Sequence, residues 1–192
     1  MIELLLIAGI GGLILLLVLI CLYYYNKLTG LNNQAEADWK LIDPLLQQRL
    51  DTIPNLIAMA KRIMKQEMDL FTGLAKAREG GMQAKTIPEK IKADQALGGM
   101  LMNFFARAEA YPQMRSNENM QTVMENLASI EDKIKYGRQR YSYTVKDYRN
   151  ATMMMPCALF AGLFGFKNDK WPYYEADQTA RKGIDAAKLL AE

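Results

Sequence analysis

The 192-residue chain contains no histidine, and its only cysteines are Cys21 and Cys157. The absence of histidine excludes Ser-His and Cys-His nucleophilic catalysis, imidazole metal ligation and imidazole base chemistry. Two distant cysteines indicate neither a disulfide framework nor a metal site. Glu67 and Glu109 lie at helical positions, and carboxylates on helices ligate the metal in di-iron bundles. Those sites also need Glu-x-x-His motifs, which a chain without histidine cannot form,. We therefore expect no catalytic residue, no cofactor, no metal ion and no enzymatic activity.

Charge is absent between Leu4 and Leu22, and nothing in this run is more polar than a glycine or a thiol. A helix over the run is roughly 28 Å long, close to the hydrocarbon thickness of a bilayer. Lipid offers the backbone no hydrogen-bonding partner, so a single segment crosses it only as a helix. We predict a transmembrane anchor over residues 1–27 rather than a buried core helix. Amphipathic rings suit the headgroup level, and three follow the run directly: Tyr23, Tyr24 and Tyr25.

Basic residues are missing before the apolar run, where Glu3 is the one charged side chain. A secretory signal peptide needs a basic start, a shorter apolar core and a cleavage site of small residues, so we expect the anchor to be retained. A lipoprotein would be acylated at Cys21, but the β-branched Ile20 stands where such a motif has a small residue. Lys27 and Lys40 follow the run, and the positive-inside rule places the N-terminus outside and the body in the cytoplasm.

The charge that the body carries is small and basic. All 24 lysines and arginines follow the apolar run, whereas Glu3 is the one acid of 21 that precedes it. The resulting small excess of basic over acidic residues is spread over many helical faces and does not indicate a nucleic-acid partner. It is compatible with a nearby anionic membrane surface.

Residues 28–155 show the apolar spacing of long amphipathic helices. We predict a local kink at Pro44, a helix break at Pro54 and a loop over 79–87, with Pro88 opening the third helix. Ser116 and Asn117 are the candidate caps of the fourth helix. The fold class is therefore predicted as all-α, a single N-terminal transmembrane helix followed by an antiparallel up-down four-helix bundle. The fourth helix carries a period-seven stripe that suits near-antiparallel packing, namely Met120, Leu127, Ile134, Tyr141 and Tyr148.

Pro156 ends the fourth helix, and residues 156–192 form a third region. Residues 157–166 carry no charge but are too few to span a bilayer,. They either lie in the membrane interface or cover one end of the bundle, and a weak helix is predicted from Glu175. With three chain reversals, this segment returns to the point where the anchor leaves the membrane. The candidate interfacial side chains here are Phe160, Phe164, Phe166 and Trp171.

Several motifs in this order resemble the LemA family of bacterial membrane proteins, from the anchor to about Phe166. The shorter ones are Tyr25-Asn26-Lys27-Leu28, Ala37-Asp38-Trp39-Lys40-Leu41-Ile42-Asp43 and Ala108-Glu109-Ala110-Tyr111-Pro112. The strongest is Gln48-Arg49-Leu50-Asp51-Thr52-Ile53-Pro54-Asn55-Leu56-Ile57. The later ones are Arg140-Tyr141-Ser142 through Tyr148-Arg149-Asn150, Met155-Pro156 and Leu163-Phe164-Gly165-Phe166. The chain departs from the family pattern at Asn33, Gln34, Pro44 and Ser142, and the tail beyond Lys170 lies outside the resemblance.

The resemblance implies a single-span protein of the bacterial inner membrane with a cytoplasmic helical bundle, and it brings no enzymatic activity. Relatives are associated with membrane organisation, including magnetosome membrane formation. Our leading hypothesis is a scaffold that binds membrane lipids and self-associates. Small residues in the anchor allow close helix approach in lipid, although they also fit ordinary membrane-helix composition: Ala8, Gly9, Gly11 and Gly12.

The alternative hypothesis is an adaptor or sensor that presents the bundle to another membrane protein. A polar site on the bundle would then recognise the partner. Capping of a helix break by Asp51 and Asn55 and pairing of Arg49 with Glu109 across helices are the favoured explanation of such residues. The candidate residues come from the family-like motifs: Asn26, Asp43, Arg49, Asp51, Asn55 and Glu109.

Overall fold

A computed structural model describes residues 1–174, so the helix predicted from Glu175 lies outside the described residues. The described chain is helical and contains no strand within residues 1–174. Six helices follow one another: α1 Ile2–Ile63, α2 Met68–Gln83, α3 Ile87–Ala108, α4 Pro112–Arg115, α5 Glu118–Met153 and α6 Cys157–Leu163. An all-α fold that begins with a long apolar helix is therefore confirmed.

The predicted helix break at Pro54 is wrong. Helix α1 contains both Pro44 and Pro54 and continues to Ile63. A proline inside a helix removes the hydrogen bond to the carbonyl four residues earlier, which for Pro54 is the carbonyl of Leu50. The side chain of Arg78 donates its Nε–H to that carbonyl oxygen at 3.0 Å and so replaces the lost donor.

The predicted loop over 79–87 is also wrong in extent, because α2 continues through Gly80 and Gly81 to Gln83. A Cβ atom on Gly81 would lie 2.6 Å from Cδ2 of Leu50. Glycine at this position therefore permits close packing between α2 and α1 rather than ending the helix. The connection to α3 is three residues long, and Thr86 ends it as a helix cap.

The start of α3 agrees with the sequence, since Pro88 lies in its first turn. Thr86 and Glu89 form a reciprocal capping box, in which each side chain binds the other residue's backbone N–H,. Asn117 caps α5 as predicted, because its Oδ1 accepts the N–H of Met120 at 3.1 Å. The five residues of the period-seven stripe in α5 are all at most 2% exposed.

The chain divides into two compact units, which we describe separately. The anchor unit comprises Met1–Ile42 and Gly137–Pro172, and the central unit comprises Asp43–Tyr136 with Tyr173 and Tyr174. In the anchor unit, Ile42 lies at Gly137 and Trp39 contacts Tyr141 edge-on with ring centroids 5.6 Å apart. The residue numbers fall along α5 as they rise along α1, so the two segments run antiparallel.

In the central unit, the C-terminal part of α1 packs with α2, α3, α4 and the N-terminal part of α5. One hydrophobic core joins them and includes Ile53, Phe71, Phe104, Met114 and Met120, each at most 2% exposed. The contact of Glu67 with Arg107 shows that α2 and α3 are antiparallel, since it joins the start of one to the end of the other. The arrangement of the predicted four-helix bundle across the whole body stays a prediction.

Candidate membrane-interface and polar sites

The N-terminal part of α1 exposes most of its large apolar side chains. The exposed ones between Leu4 and Leu22 range from 48% at Val18 to 76% at Leu4, and Ile20 is half-buried. The most apolar window of the helix is 0% buried. By length and composition this is the one membrane-spanning candidate within residues 1–174. Nothing lies within 4 Å of the Cβ positions of Gly9, Gly11 and Gly12. Ala8 is likewise exposed, so the small-residue face of the helix is open.

Two of the three tyrosines after the apolar run pack on the segment around α6. The ring of Tyr24 stacks on Phe160 with centroids 4.8 Å apart and an interplanar angle of 12°. The ring of Tyr25 meets Phe164 and Phe166 edge-on at 5.1 and 6.2 Å. The structure therefore brings together five of the residues predicted for the membrane interface. Edge-to-face and offset aromatic pairs of this kind each add about 0.5–1.5 kcal/mol beyond area burial.

Tyr23 is the most exposed member of the tyrosine group, ahead of Tyr25 at 44%. Its ring meets Tyr24 edge-on at 5.2 Å, and 62% of the residue remains exposed. Asn26 is also exposed, one turn further along the same helix.

A small apolar core lies beneath this aromatic cluster. Leu28 of α1 packs with Cys157 and Ala161 of α6, and all three are at most 5% exposed. Burial raises the pKa of the Cys157 thiol, although the nearby Lys27 ammonium opposes that effect. A neutral, buried thiol of this kind acts as a small apolar side chain rather than as a nucleophile.

Trp171 is a correction to the predicted interfacial residues, because it is buried and only 6% exposed. Its indole N–H donates to Oδ1 of Asn32 at 3.3 Å, and its carbonyl accepts a hydrogen bond from Arg149 at 3.1 Å. The hydroxyl of Tyr148 likewise donates a hydrogen bond to the carbonyl oxygen of Lys167 at 3.0 Å. Trp171 therefore fastens the segment after α6 to α1 and α5, and its ring does not face outward.

Arg49 is the centre of the polar residues in the central unit, with 1% of its side chain exposed. It forms ion pairs with Asp94, also 1% exposed, and with Glu131, which is 43% exposed. It also donates to the carbonyl of Asp94 at 2.9 Å. The pairing predicted for Arg49 across helices is thus observed, but its partners lie on α3 and α5 and Glu109 is not one of them. Glu109 is exposed.

A cavity of about 310 Å³ opens beside Arg49. Its polar wall includes Asp43, which binds the Lys90 ammonium at 2.5 Å. The remaining wall is largely apolar, with Pro44, Leu46, Leu50, Gly81, Met82, Ala84, Ala93 and Leu97 among its lining residues. A hollow lined by apolar side chains together with charged groups of both signs suits a side chain of a partner.

Other polar candidates serve local structure. Asp51 accepts a hydrogen bond from Gln47 at 2.8 Å, one turn earlier on α1. Asn55 is exposed on α1 and caps no break, since the helix continues past it. Glu67 is engaged by Arg107 and Tyr111. Within residues 1–174, no group of three or more His, Cys, Asp and Glu side chains is placed to hold a metal ion.

The sequence reasoning did not single out Asp38 as a site residue, although the residue lies within one of the quoted motifs. Its side chain is 1% exposed and accepts hydrogen bonds from Gln34, Arg140 and Thr144 at 2.9, 2.7 and 2.6 Å. Residues Asp38 and Ile42 lie four apart on α1, so the carboxylate shares the helix face that packs on α5. An acid in register with an apolar stripe was the signal that could have revealed it.

Over residues 1–174, these features define a helical protein in which the start of α1 is exposed, apolar and of membrane-spanning length, and the remaining helices are packed. The family model of the LemA family matches residues 38–186, which is more than three quarters of the chain, and the chain belongs to that family. The match extends sixteen residues beyond Lys170, where the sequence resemblance was expected to end.

Curated relatives include magnetosome proteins. Magnetosome protein MamQ of Magnetospirillum gryphiswaldense is 22% identical over 169 residues, which cover 74% of this chain and 62% of that protein. Magnetosome proteins MamQ 1 and MamQ 2 of Paramagnetospirillum magneticum are each 21% identical over 194 residues. Those alignments cover 88% of this chain and 71% of each relative. The chain thus spans less than two thirds of the length of the first of these proteins.

Proposed function

We propose that the protein is a non-enzymatic, single-pass membrane scaffold that self-associates and organises membrane or partner proteins. The observation that most supports this proposal is the apolar start of the helix from Ile2. Its most apolar window is 0% buried. Exposing so much apolar surface to water is strongly unfavourable, and a bilayer removes it from water. The absence of histidine supports a structural rather than a catalytic role. The relatives named as magnetosome proteins support the membrane-associated part of the proposal.

The body beyond the anchor is proposed to be an antiparallel up-down bundle. Within the central unit, the contact of Glu67 with Arg107 supports opposite directions for α2 and α3. The hydrogen bond from Arg78 to Leu50 supports opposite directions for α1 and α2, because the later part of α2 then lies beside a turn of α1 that precedes its C-terminal end at Ile63.

The location proposed for the chain is the bacterial inner membrane, with the N-terminus outside and the body in the cytoplasm. Lys27 and Lys40 after the apolar run, against Glu3 before it, support this orientation,. A Leu41→Cys variant tests it in a Cys21→Ala background, because Leu41 is 55% exposed beyond the anchor. A membrane-impermeant maleimide is expected to label inverted vesicles and not intact cells. Labelling of intact cells alone would reverse the orientation.

Self-association is proposed to use the face of Ala8 and Gly12. These residues are four apart, so both lie on one side of the helix, where small side chains allow two backbones to approach. The test is single-molecule photobleaching of full-length chains in supported anionic bilayers. Ala8→Ile with Gly12→Ile is expected to convert oligomers to monomers.

The matched control for this test is Ile10→Leu with Ile14→Leu, which keeps the volume and alters the opposite helix face. It is expected to leave the oligomer intact. A wild-type chain that is monomeric at every density would contradict the scaffold proposal. An equal loss of oligomers in the test variant and the control variant would contradict the assignment of self-association to the face of Ala8 and Gly12.

The adaptor function remains the second candidate, and the cavity beside Arg49 is the observation that favours it. A partner that docks there would cover Met82, which is 48% exposed at the cavity wall. Photocrosslinking from residue 82 in cells is expected to capture another membrane protein if the adaptor proposal holds. If residue 82 crosslinks only to a second copy of this chain, the adaptor proposal is contradicted and the scaffold proposal is favoured.

A further inference from the structure

Large apolar side chains stand exposed at the end of α5 and on α6, in the anchor unit. They are Met153 at 64%, Met154 at 62%, Met155 at 68%, Leu159 at 63% and Leu163 at 72% exposed. We call this set the 153–163 apolar segment. Leu159 and Leu163 are four residues apart, so they share one face of α6. The sequence analysis considered residues 157–166 for the membrane interface, but none of the five was among the interfacial side chains that it named.

The opposite side of α6 is held against the first turns of α1 beyond the apolar run. Cys157 and Ala161 pack on Leu28, and Phe160 stacks on Tyr24. Tyr24 lies two residues beyond Leu22, or about 3 Å along the helix axis. Helix α6 is therefore fastened at the level where the apolar run ends.

We propose that the 153–163 apolar segment is a second membrane contact, which inserts into the boundary between headgroups and acyl chains of the bilayer that the anchor crosses. The inference rests on the proposed function, because it requires the anchor to lie in lipid. It also revises which side chains meet the membrane. The phenylalanines pack against Tyr24 and Tyr25, and the methionines and leucines face outward.

The mostly basic residues near the 153–163 apolar segment favour an anionic bilayer as the surface that it contacts. Lys27, Lys167 and Lys170 are exposed around it, against the exposed Asp169. Apolar side chains that enter the interface while lysines stay at the headgroups are the usual pattern of an interfacial helix. Two contacts made by one packed unit would hold α6 at the membrane surface.

The experiment places a bimane fluorophore on single cysteines of the full-length chain in a Cys21→Ala background. Cys157 stays in place because it is buried, and the background chain reports any labelling of it. The chains are reconstituted into nanodiscs of phosphatidylcholine and phosphatidylglycerol. Nitroxide lipids carry the quencher near the headgroup or at the tip of the acyl chain, and iodide quenches from water.

The test positions are Leu159→Cys and Leu163→Cys. Ile14→Cys reports the middle of the anchor. The matched control is Leu41→Cys, which is 55% exposed in the same unit and lies about 28 Å along the helix from Leu22. At residues 159 and 163 we expect a blue-shifted emission and greater loss of fluorescence with the shallow nitroxide than with the deep one. At residue 41 we expect loss of fluorescence with iodide alone.

Quenching of residues 159 and 163 by iodide alone would overturn the inference. A second result would also overturn the inference: residues 159 and 163 are protected from both lipid and iodide quenchers, and this protection disappears when each nanodisc holds a single chain. That result would show that a second copy of the chain covers the segment. If residue 14 is quenched by lipid and residues 159 and 163 are not, only the second contact fails. If residue 14 is not quenched by lipid, the proposed membrane anchor itself fails.

Discussion

Arg78 donates its Nε–H to the main-chain oxygen of Leu50 at 3.0 Å, and Leu50 is the residue four positions before Pro54. The proline cannot supply the donor that this carbonyl has in a regular helix. A side chain from α2 thus completes the hydrogen bonding of α1 at the point where the sequence predicted a break. This contact explains how α1 continues to Ile63 through a residue that ordinarily ends or kinks a helix.

Arg78→Met is expected to lower the free energy of unfolding by about 1–3 kcal/mol, because the Leu50 carbonyl loses its donor. Lys76→Met on the exposed face of α2 is the matched control and should change stability by less than about 0.5 kcal/mol. The measurement is urea denaturation of the full-length chain in a mild detergent, followed by far-UV circular dichroism. A Pro54→Ala background restores the backbone donor, so Arg78→Met should there have a smaller effect. Equal effects in both backgrounds would contradict the role given to Arg78.

The buried ion pair of Arg49 and Asp94 gives a second prediction. Arg49→Met leaves the Asp94 carboxylate buried without its cation, which is expected to cost about 3–5 kcal/mol of stability. Glu131→Gln changes a half-exposed partner and should cost about 1 kcal/mol or less. Urea denaturation of the same full-length chain measures both variants.

The double variant Arg49→Met with Asp94→Leu separates the loss of packing from the loss of charge balance. It removes both buried charges, so it should be more stable than Arg49→Met alone. A double variant no more stable than Arg49→Met would show that the guanidinium matters for packing rather than for neutralising Asp94.

The capping box at α3 predicts a specific pH dependence. Glu89 accepts backbone N–H groups of Thr86 and Lys85 at 3.0 and 2.9 Å, and these hydrogen bonds lower the pKa of its carboxyl below 4.5. The stabilisation from Glu89 is therefore fully present above pH 4.5 and is lost as the pH falls through the lowered pKa,.

Glu89→Gln tests that pH dependence because the amide does not titrate. Its deficit in the urea midpoint relative to the unsubstituted chain should shrink as the pH falls below 4.5. Thr86→Ala is the matched variant, losing about 1 kcal/mol while keeping the titrating carboxylate. A deficit of Glu89→Gln that stays constant with pH would contradict the assignment.

The all-α class, the start of α3 at Pro88, the cap of α5 and the buried stripe of α5 followed from the sequence because each depends on local periodicity or a local helix-start signal. The wrong boundaries have tertiary causes. Gly81 lies inside α2 because Leu50 approaches it, and Pro54 lies inside α1 because Arg78 supplies a donor. Neither partner is close in sequence, so no local pattern could reveal it.

The candidate sites divide in the same way. Aromatic residues beside an apolar run pointed to Tyr24 and Phe160, and the structure brings these two together. The sequence could not show which apolar residues around α6 remain exposed, because that depends on which face α1 covers. Arg49 was identified by its motif, but its partner Asp94 lies 45 positions away on α3.

The last prediction concerns the closeness of α1 and α5 in the anchor unit. A Cβ on Gly137 would lie 2.8 Å from Cγ1 of the fully buried Ile42, whereas nothing lies within 4 Å of a Cβ on Gly30. Gly30→Ala should therefore stabilise the chain by about 0.5–1 kcal/mol through helix propensity alone. Gly137→Ala has the same propensity gain, but displacing Ile42 should cost about 1–3 kcal/mol. The net result should be neutral or destabilising.

Ile42→Ala removes the clashing Cγ1 atom and is the background that isolates the steric effect. In that background Gly137→Ala should become stabilising, by about 0.5–1 kcal/mol, as at an open helical site. Urea denaturation of the four full-length chains gives the coupling energy, and hydrogen exchange in α5 reports whether the change is local to the contact. If Gly137→Ala stabilises the unsubstituted chain as much as Gly30→Ala does, the close packing of the two helices at Ile42 is contradicted.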